Sequence, residues 1–276
     1  MELLDRARYP WLRDVIAEVP FNTLYARAVL TGDADGWVYV DGQAAASYYV
    51  VNVYGMTLLG GEAGDPAYAA ALVAYLGGDR GGWVSDQWLQ AHPREWDDVL
   101  APLVTAGRAE RLERVNFAFD EAVYHRVRRA PVALPVRPTP PDRLWSLPGD
   151  VVPTLFWRDR VTAPCTSFSV MDGDVPVAIA FTSFRTPTQL EMGIETLPAY
   201  RGRGYAQAAC AALIDYCLAE GLEPVWSCRD ANHASIALAN RLGFRESHRL
   251  PYYHFPRGGP AHGGPPAVGT SAATEC

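Results

Sequence analysis

The stretch from Leu190 to Phe244 constrains this chain more than any other. It reads as a strand running from Leu190 through Thr196, the turn Arg201-Gly202-Arg203-Gly204-Tyr205-Ala206, an apolar helix to Glu220, a short strand around Trp226, and a second helix closing on Gly243-Phe244. A strand, a glycine-bearing turn and a helix N-terminus in that order make an anion cradle, because free backbone N–H groups and the helix dipole both point at whatever occupies the turn. The anion expected there is a pyrophosphate.

Spacing narrows which pyrophosphate. A Walker loop needs Gly-Lys followed by Ser or Thr, and this chain has no lysine, its 24 Lys/Arg positions all being arginine. P-loop hydrolysis and Schiff-base lysine chemistry are thereby excluded. A dinucleotide turn wants a third glycine three positions after the second, where this chain carries Gln207. What fits is Arg-x-x-Gly-x-Ala at the end of a strand. Downstream, Glu223-Pro224-Val225-Trp226-Ser227-Cys228 reads as a short buried strand, and Asn232 is placed to cap a helix that Gly243 ends.

These residues, in this order, resemble the acyl-CoA signature of the GNAT superfamily of N-acyltransferases. More narrowly, Glu191-x-Gly193-Ile194-Glu195-Thr196, Tyr200-Arg201-Gly202-x-Gly204-x-Ala206, Pro224-x-Trp226-x-Cys228 and Asn232 to Phe244 are similar to the branch that contains the zwittermicin A self-resistance acetyltransferase. The likeness is strongest over about residues 165 to 255. It implies acetyl-CoA as co-substrate, with Arg201, Gly202, Arg203, Gly204, Tyr205 and Ala206 around its pyrophosphate and Asn232 and Ser235 beside the pantetheine arm. It also implies that the strand before the cradle splays from its neighbour, so that backbone groups of Ile194, Glu195 and Thr196 line that arm. The acceptor implied is a primary amine of a small, antibiotic-like molecule. Many members carry a thiolate-protonating Tyr where this chain has Ala239. Tyr252, Tyr253 and His254 are the candidates to replace it, with Tyr252 first.

The residues themselves suggest how the amine would lose its proton. By the two-residue period of a strand, Glu191, Gly193 and Glu195 share one face. Two carboxylates there can bind a cationic amine and remove its proton, with Glu195 expected as base and Glu191 as anchor. The competing reading of that face is a solvent-exposed, solubilising one. Two other functions compete: a non-catalytic acyl-CoA binding module, and acetylation of a protein N-terminus or side chain.

A formal charge of −7, with no arginine cluster denser than Arg126-Val127-Arg128-Arg129, argues against a nucleic-acid partner. The longest apolar run, residues 44–59, is broken by Ser47, Asn52 and Gly55 and is shorter than the ~20 residues of a membrane span. Five cysteines without a C-x-x-C pair indicate neither a disulfide frame nor a zinc site. A metal-free cytoplasmic protein is expected. Cys228, bordering the acyl arm, is a conceivable nucleophile, but packing is the preferred role for it and for Cys210 and Cys217.

The proline-rich stretch 131–148 reads as a connector. On each side of it the order of elements is the same: a hairpin, a strand, a helix, a strand, a second helix and a last strand. We expect an α/β fold of mixed sheets, with a GNAT-like acyltransferase domain over 149–256 and a degenerate GNAT-like copy over 1–130. The copy offers Leu58-Leu59-Gly60-Gly61-Glu62-Ala63 but no arginine pair. The tail 257–276, built of turn formers and small residues, is expected to be disordered.

Overall fold

Strands buried over most of their length and helices with apolar residues at four-residue spacing organise this chain into two compact units. They are seen in a computed structural model that describes residues 1–42, 46–78, 86–127, 131–144, 148–149, 151 and 166–256. The first unit takes Met1–Leu4, Gly36–Arg111 and the chain from Tyr252; the second takes Asp5–Asp35 and Leu112–Pro251. The expected disordered tail lies outside the described residues.

In the first unit, β1 (Glu2–Leu3), β2 (Gly36–Val40), β3 (Ser47–Asn52) and β4 (Met56–Gly61) pair antiparallel in sequence order. Helix α3 (Pro66–Leu76) then carries the chain to β5 (Gln87–His92), which runs parallel to β4. Asp65 caps α3 by accepting the Ala67 N–H at 2.8 Å, and Pro66 sits in the first turn, where its missing N–H costs nothing. Tyr68, Leu72 and Leu76, one stripe of that helix, meet Trp96, Leu100 and Leu103 of α4 (Trp96–Thr105) and Tyr49, Leu59 and Leu89 of the sheet. Each such buried side chain contributes roughly 1.5–3 kcal/mol. The expected strand at Trp83-Val84-Ser85 lies outside the described residues.

The second unit repeats the plan. β8 (Ser167–Asp172), β9 (Val175–Arg185) and β10 (Gln189–Thr196) form an antiparallel meander. Helix α6 (Tyr205–Ala219) crosses to β11 (Glu223–Arg229), parallel to β10, and α7 (His233–Arg241) leads into β12 (Phe244–Phe255). Cys210, Leu213, Ile214 and Cys217 of α6 are fully buried against Val177, Ala178, Leu190 and Met192. Helices α1 (Tyr9–Ala17) and α2 (Leu24–Thr31) belong to this unit, tied together by Arg13, whose Nη2 donates to the Leu30 carbonyl at 2.8 Å.

The last strands of the two repeats are exchanged. β6 (Glu110–Phe119), which ends the first repeat, pairs antiparallel with β11 through Trp226↔Phe117 to Arg229↔Arg114. The end of β12, which closes the second, pairs with β5 through Tyr253↔Leu89 to Phe255↔Gln87. The units therefore do not divide at residue 130, because α1, α2 and most of β6 pack with the later residues. α5 (Glu121–Arg126) does so too, with the Tyr124 hydroxyl 2.6 Å from Asp215 Oδ1 and 2.9 Å from the Ala211 carbonyl oxygen. Nor is the proline-rich stretch a bare connector. Its Val136–Pro138 forms β7, an edge strand on β8, the sheet position where proline's missing N–H is tolerated.

Candidate functional site

Sheet register locates an opening in the second unit. β10 and β11 pair in parallel at Gln189↔Glu223, Leu190↔Pro224 and Glu191↔Val225, and there the pairing stops. Beyond it, β10 stays on β9 as far as Thr196↔Ala178, while β11 turns its pairing to β6. The two strands thus part at Glu191. Leu197 donates its N–H to Val177 at 2.9 Å, so by alternation the backbone groups of Glu195 and Gly193 also face β9. Those of Met192, Ile194 and Thr196 face the opening. Thr196 spends its N–H on the Glu195 carboxylate at 3.0 Å and its carbonyl on Arg201 Nε at 3.0 Å. Of the three residues expected along the acyl arm, Ile194 is the one whose backbone is placed for it.

The turn that follows is exposed over Arg201, Gly202, Arg203 and Gly204, and both glycines have left-handed φ values, 77° and 80°. Gly204 opens α6 with no side-chain cap, which leaves the first-turn N–H groups of Tyr205, Ala206 and Gln207 pointing out of the helix end. Among the described residues, a Cβ on Gly202 would meet nothing within 4 Å, and one on Gly204 only Val132 at 3.6 Å. Tyr205 itself is buried, and only its backbone serves the turn. The Arg203 guanidinium lies over the Tyr200 ring, 5.3 Å from its centre. These features fit a pyrophosphate.

The first unit lacks both halves of this arrangement. β4 and β5 remain paired from Met56↔Trp88 to Gly60↔His92, so no gap opens between them. The Tyr48 ring lies where a Cβ on Gly60 would stand. Its equivalent helix, α3, has its end occupied by the Asp65 carboxylate, which repels a phosphate.

At the parting point lies a polar cluster that the sequence expectations did not assemble. Glu191 is 5% exposed. Its Oε1 accepts from Asn22 Nδ2 at 2.6 Å, Ser227 Oγ at 3.0 Å and Arg114 Nη2 at 3.3 Å. Ser227 in turn accepts from Arg114 at 2.6 Å, and Asn116 Oδ1 accepts the Asn22 N–H at 3.3 Å. Glu191 Oε2 and Asn116 Nδ2 are buried with no hydrogen-bond partner among the described residues. Burial pushes the Glu191 carboxyl above the usual range, opposed by Arg114, Ser227 and Asn22. The face of β10 is therefore not a solubilising one at this position.

Glu195 is differently placed. Its side chain is 12% exposed, and Oε1 accepts from Arg201 Nη2 at 3.2 Å as well as from its own neighbour's N–H, while Oε2 accepts from the Val151 N–H at 3.3 Å. It braces the cradle arginine. Asn232 caps α7 by accepting the Ser235 N–H at 3.1 Å, and the Ser235 hydroxyl accepts from Trp226 Nε1 at 3.1 Å. Cys228 is buried, which raises its thiol against the opposing hydrogen bond to Ser235, and this favours packing over nucleophilic work. Ala239 is fully buried. Tyr252, its expected replacement as acid, belongs to the first unit, where its ring stacks on Trp88 with centres 5.4 Å apart. Tyr253 there donates to Asp97 at 2.7 Å, and His254 lies 2.9 Å from Asp86. Among the described residues no group of His, Cys, Asp and Glu is arranged to hold a metal ion, and no helix is long and apolar enough to cross a membrane.

Asn22, Arg114, Asn116 and Ser227 were not singled out from sequence. The available signal was weak: Arg114 and Asn116 alternate with Val115 and Phe117 in a strand, so one face of β6 had to be polar.

Comparison with known proteins agrees with this architecture. Residues 165–253 match the family model described as GNAT acetyltransferase. An uncharacterized N-acetyltransferase of Bacillus subtilis, YdfB, is 22% identical over 258 residues, covering 89% of this chain and 95% of its own length. Among solved structures, a GCN5-related N-acetyltransferase-like protein from Streptococcus suis superposes with a TM-score of 0.68 at 20% identity, over 90% of this chain and 98% of that one. A tandem GNAT protein from the clavulanic acid biosynthesis pathway gives 0.58 at 12% identity, over 93% and 98%. Both structures share the fold.

Proposed function

We propose that this chain is an N-acetyltransferase of the GNAT class that moves an acetyl group from acetyl-CoA to a primary amine of a small molecule, with Glu191 as the base. One observation carries the assignment: a buried carboxylate, with one oxygen held by three donors and the other without a partner among the described residues, stands where β10 and β11 part. Acetyl-CoA supplies the activated thioester. The turn Arg201–Ala206 and the N-terminus of α6 would hold its pyrophosphate, and the Ile194 backbone would bond its pantetheine arm. Asn232 and Ser235, at the start of α7, would flank that arm.

The acceptor amine must lose a proton to become a nucleophile. Glu191 Oε2 is the acceptor for it, and burial raises the carboxyl's affinity for the proton against the opposing effect of Arg114, Ser227 and Asn22. Glu195, expected as base, has both oxygens engaged and acts instead on Arg201. The antibiotic-like class of amine rests on the sequence likeness to the zwittermicin resistance branch, and a cytoplasmic setting goes with acetyl-CoA as donor. Release of free CoA thiol across a panel of small amines and peptides tests the reading: turnover with small amines supports it, and turnover with peptides alone overturns it. Ala239, buried where a tyrosine acid is usual, favours a second reading, a binder of acetyl-CoA without turnover. Calorimetric binding without thiol release on any amine would select it.

A further inference from the structure

We propose that the N-terminal half of the chain, which shows no cradle of its own among the described residues, serves the transfer reaction directly, with Arg114 and Asn22 as positioning residues that hold Glu191 for its work. The inference rests on Glu191 as the base. Arg114 lies on the exchanged strand β6, and Asn22 on the segment leading into α2, so both are supplied by residues before the connector. Their side chains converge on one oxygen of Glu191, at 3.3 Å and 2.6 Å, and both also reach Ser227, at 2.6 Å and 3.1 Å.

This arrangement fixes three properties of the carboxylate. Donors from β6, β11 and the α2 approach pin Oε1, so the side chain has one orientation and Oε2 is the oxygen left for the acceptor. Among the described residues, Arg114, side chain 8% exposed, is the charged group that meets the carboxylate; Asn22 and Ser227 contribute neutral donors, and β9 sets Phe184 opposite in register. A desolvated carboxyl with apolar surroundings alone would stay protonated through neutral pH, which abolishes a base. The guanidinium opposes that, so Arg114 sets how much of Glu191 is ionised.

Asn22 also organises itself. Its Oδ1 accepts the Leu24 N–H at 3.0 Å, in the turn that starts α2, and its own N–H goes to Asn116. The amide is therefore pre-oriented toward Glu191 by the fold of the helix it precedes. A scaffold that only covered the sheet would not need a guanidinium, an amide and a hydroxyl on one buried carboxylate, since burying polar groups is costly unless they are paired.

The test is a carboxyl titration of Glu191 in the full chain by ¹³C NMR, assigned by its loss in Glu191→Gln, together with kcat/KM against pH for the amine giving most thiol release. In Arg114→Met the titration is expected to move up in pH by at least tenfold in proton affinity, the lower end of what an adjacent opposite charge confers, and the acidic limb of kcat/KM to move with it. Arg114→Lys should restore most of both. Asn22→Ala, on a loop, should give a smaller upward move without unfolding. A titration unmoved in Arg114→Met and in Asn22→Ala overturns the proposal. A shifted titration with full turnover in Glu191→Gln supports the positioning of the carboxylate and overturns Glu191 as base.

Discussion

Asn22 Nδ2 lies 2.6 Å from Glu191 Oε1, across 169 positions of sequence, and so ties the segment before α2 to the point where β10 and β11 part. The separation places the carboxylate under the control of residues from both repeats.

The cradle rests on left-handed backbone. Gly204→Val would force a β-branched residue to φ near 80°, a region that costs such a side chain about 1–2 kcal/mol or more, and would put methyl groups over the turn. Calorimetry is expected to show one acetyl-CoA site per chain in wild type and none in the variant, with an unchanged circular dichroism spectrum. Undiminished binding would remove the turn from the cofactor site.

Glu195 braces Arg201 rather than the acceptor in this account. Glu195→Gln should weaken acetyl-CoA binding several-fold and leave kcat at saturating substrate within about tenfold of wild type, since no transition-state proton passes through it. A loss of kcat by about 10²–10⁴ with unchanged acetyl-CoA affinity would return the base role to Glu195.

The exchanged strands make the halves interdependent. Produced alone, residues 1–130 present β6 with no β11 to pair with, and residues 131–276 lack both α1–α2 and β6. Each fragment is expected to aggregate or remain unfolded, and co-expression of the two to give a soluble, acetyl-CoA-binding complex. A soluble, active 131–276 fragment would show that the exchange is dispensable.

Much of this fold was legible. Helix α3 and strand β6 follow directly from residues 66–76 and 110–119, because four-residue periodicity and an Asp-Pro start mark the first and the alternation of Val115, Phe117 and Phe119 with other residues marks the end of the second. Asn232 was readable as a cap for the same local reason. The exchange of β6 and β12 was not, since a period of two says which face is buried and nothing about which strand lies alongside. The same limit hid the site's control. Glu191 and Glu195 share a strand and a face, and only contacts at separations of 77 and 169 positions distinguish them.

Glu191 also leaves a mark on stability. Its folded-state proton affinity is raised by burial, so the folded chain binds that proton more tightly than the unfolded one. Stability contributed by the group therefore falls as pH rises from about 4.3, the unfolded value, through the folded value. Urea unfolding from pH 4 to 8 should show Glu191→Gln gaining on wild type across that window and running parallel to it above. A Glu191→Gln variant that loses ground to wild type as pH rises would mean the carboxyl is held below its ordinary value instead.

The central claim is that Glu191 takes the amine's proton. The most direct measurement is kcat/KM against pH for wild type and Glu191→Gln, by thiol release with one confirmed amine, alongside acetyl-CoA affinity by calorimetry. The account predicts unchanged affinity, a kcat lower by about 10²–10⁴ and loss of the acidic limb that reports the base. Wild-type turnover with the acidic limb intact in Glu191→Gln would contradict it.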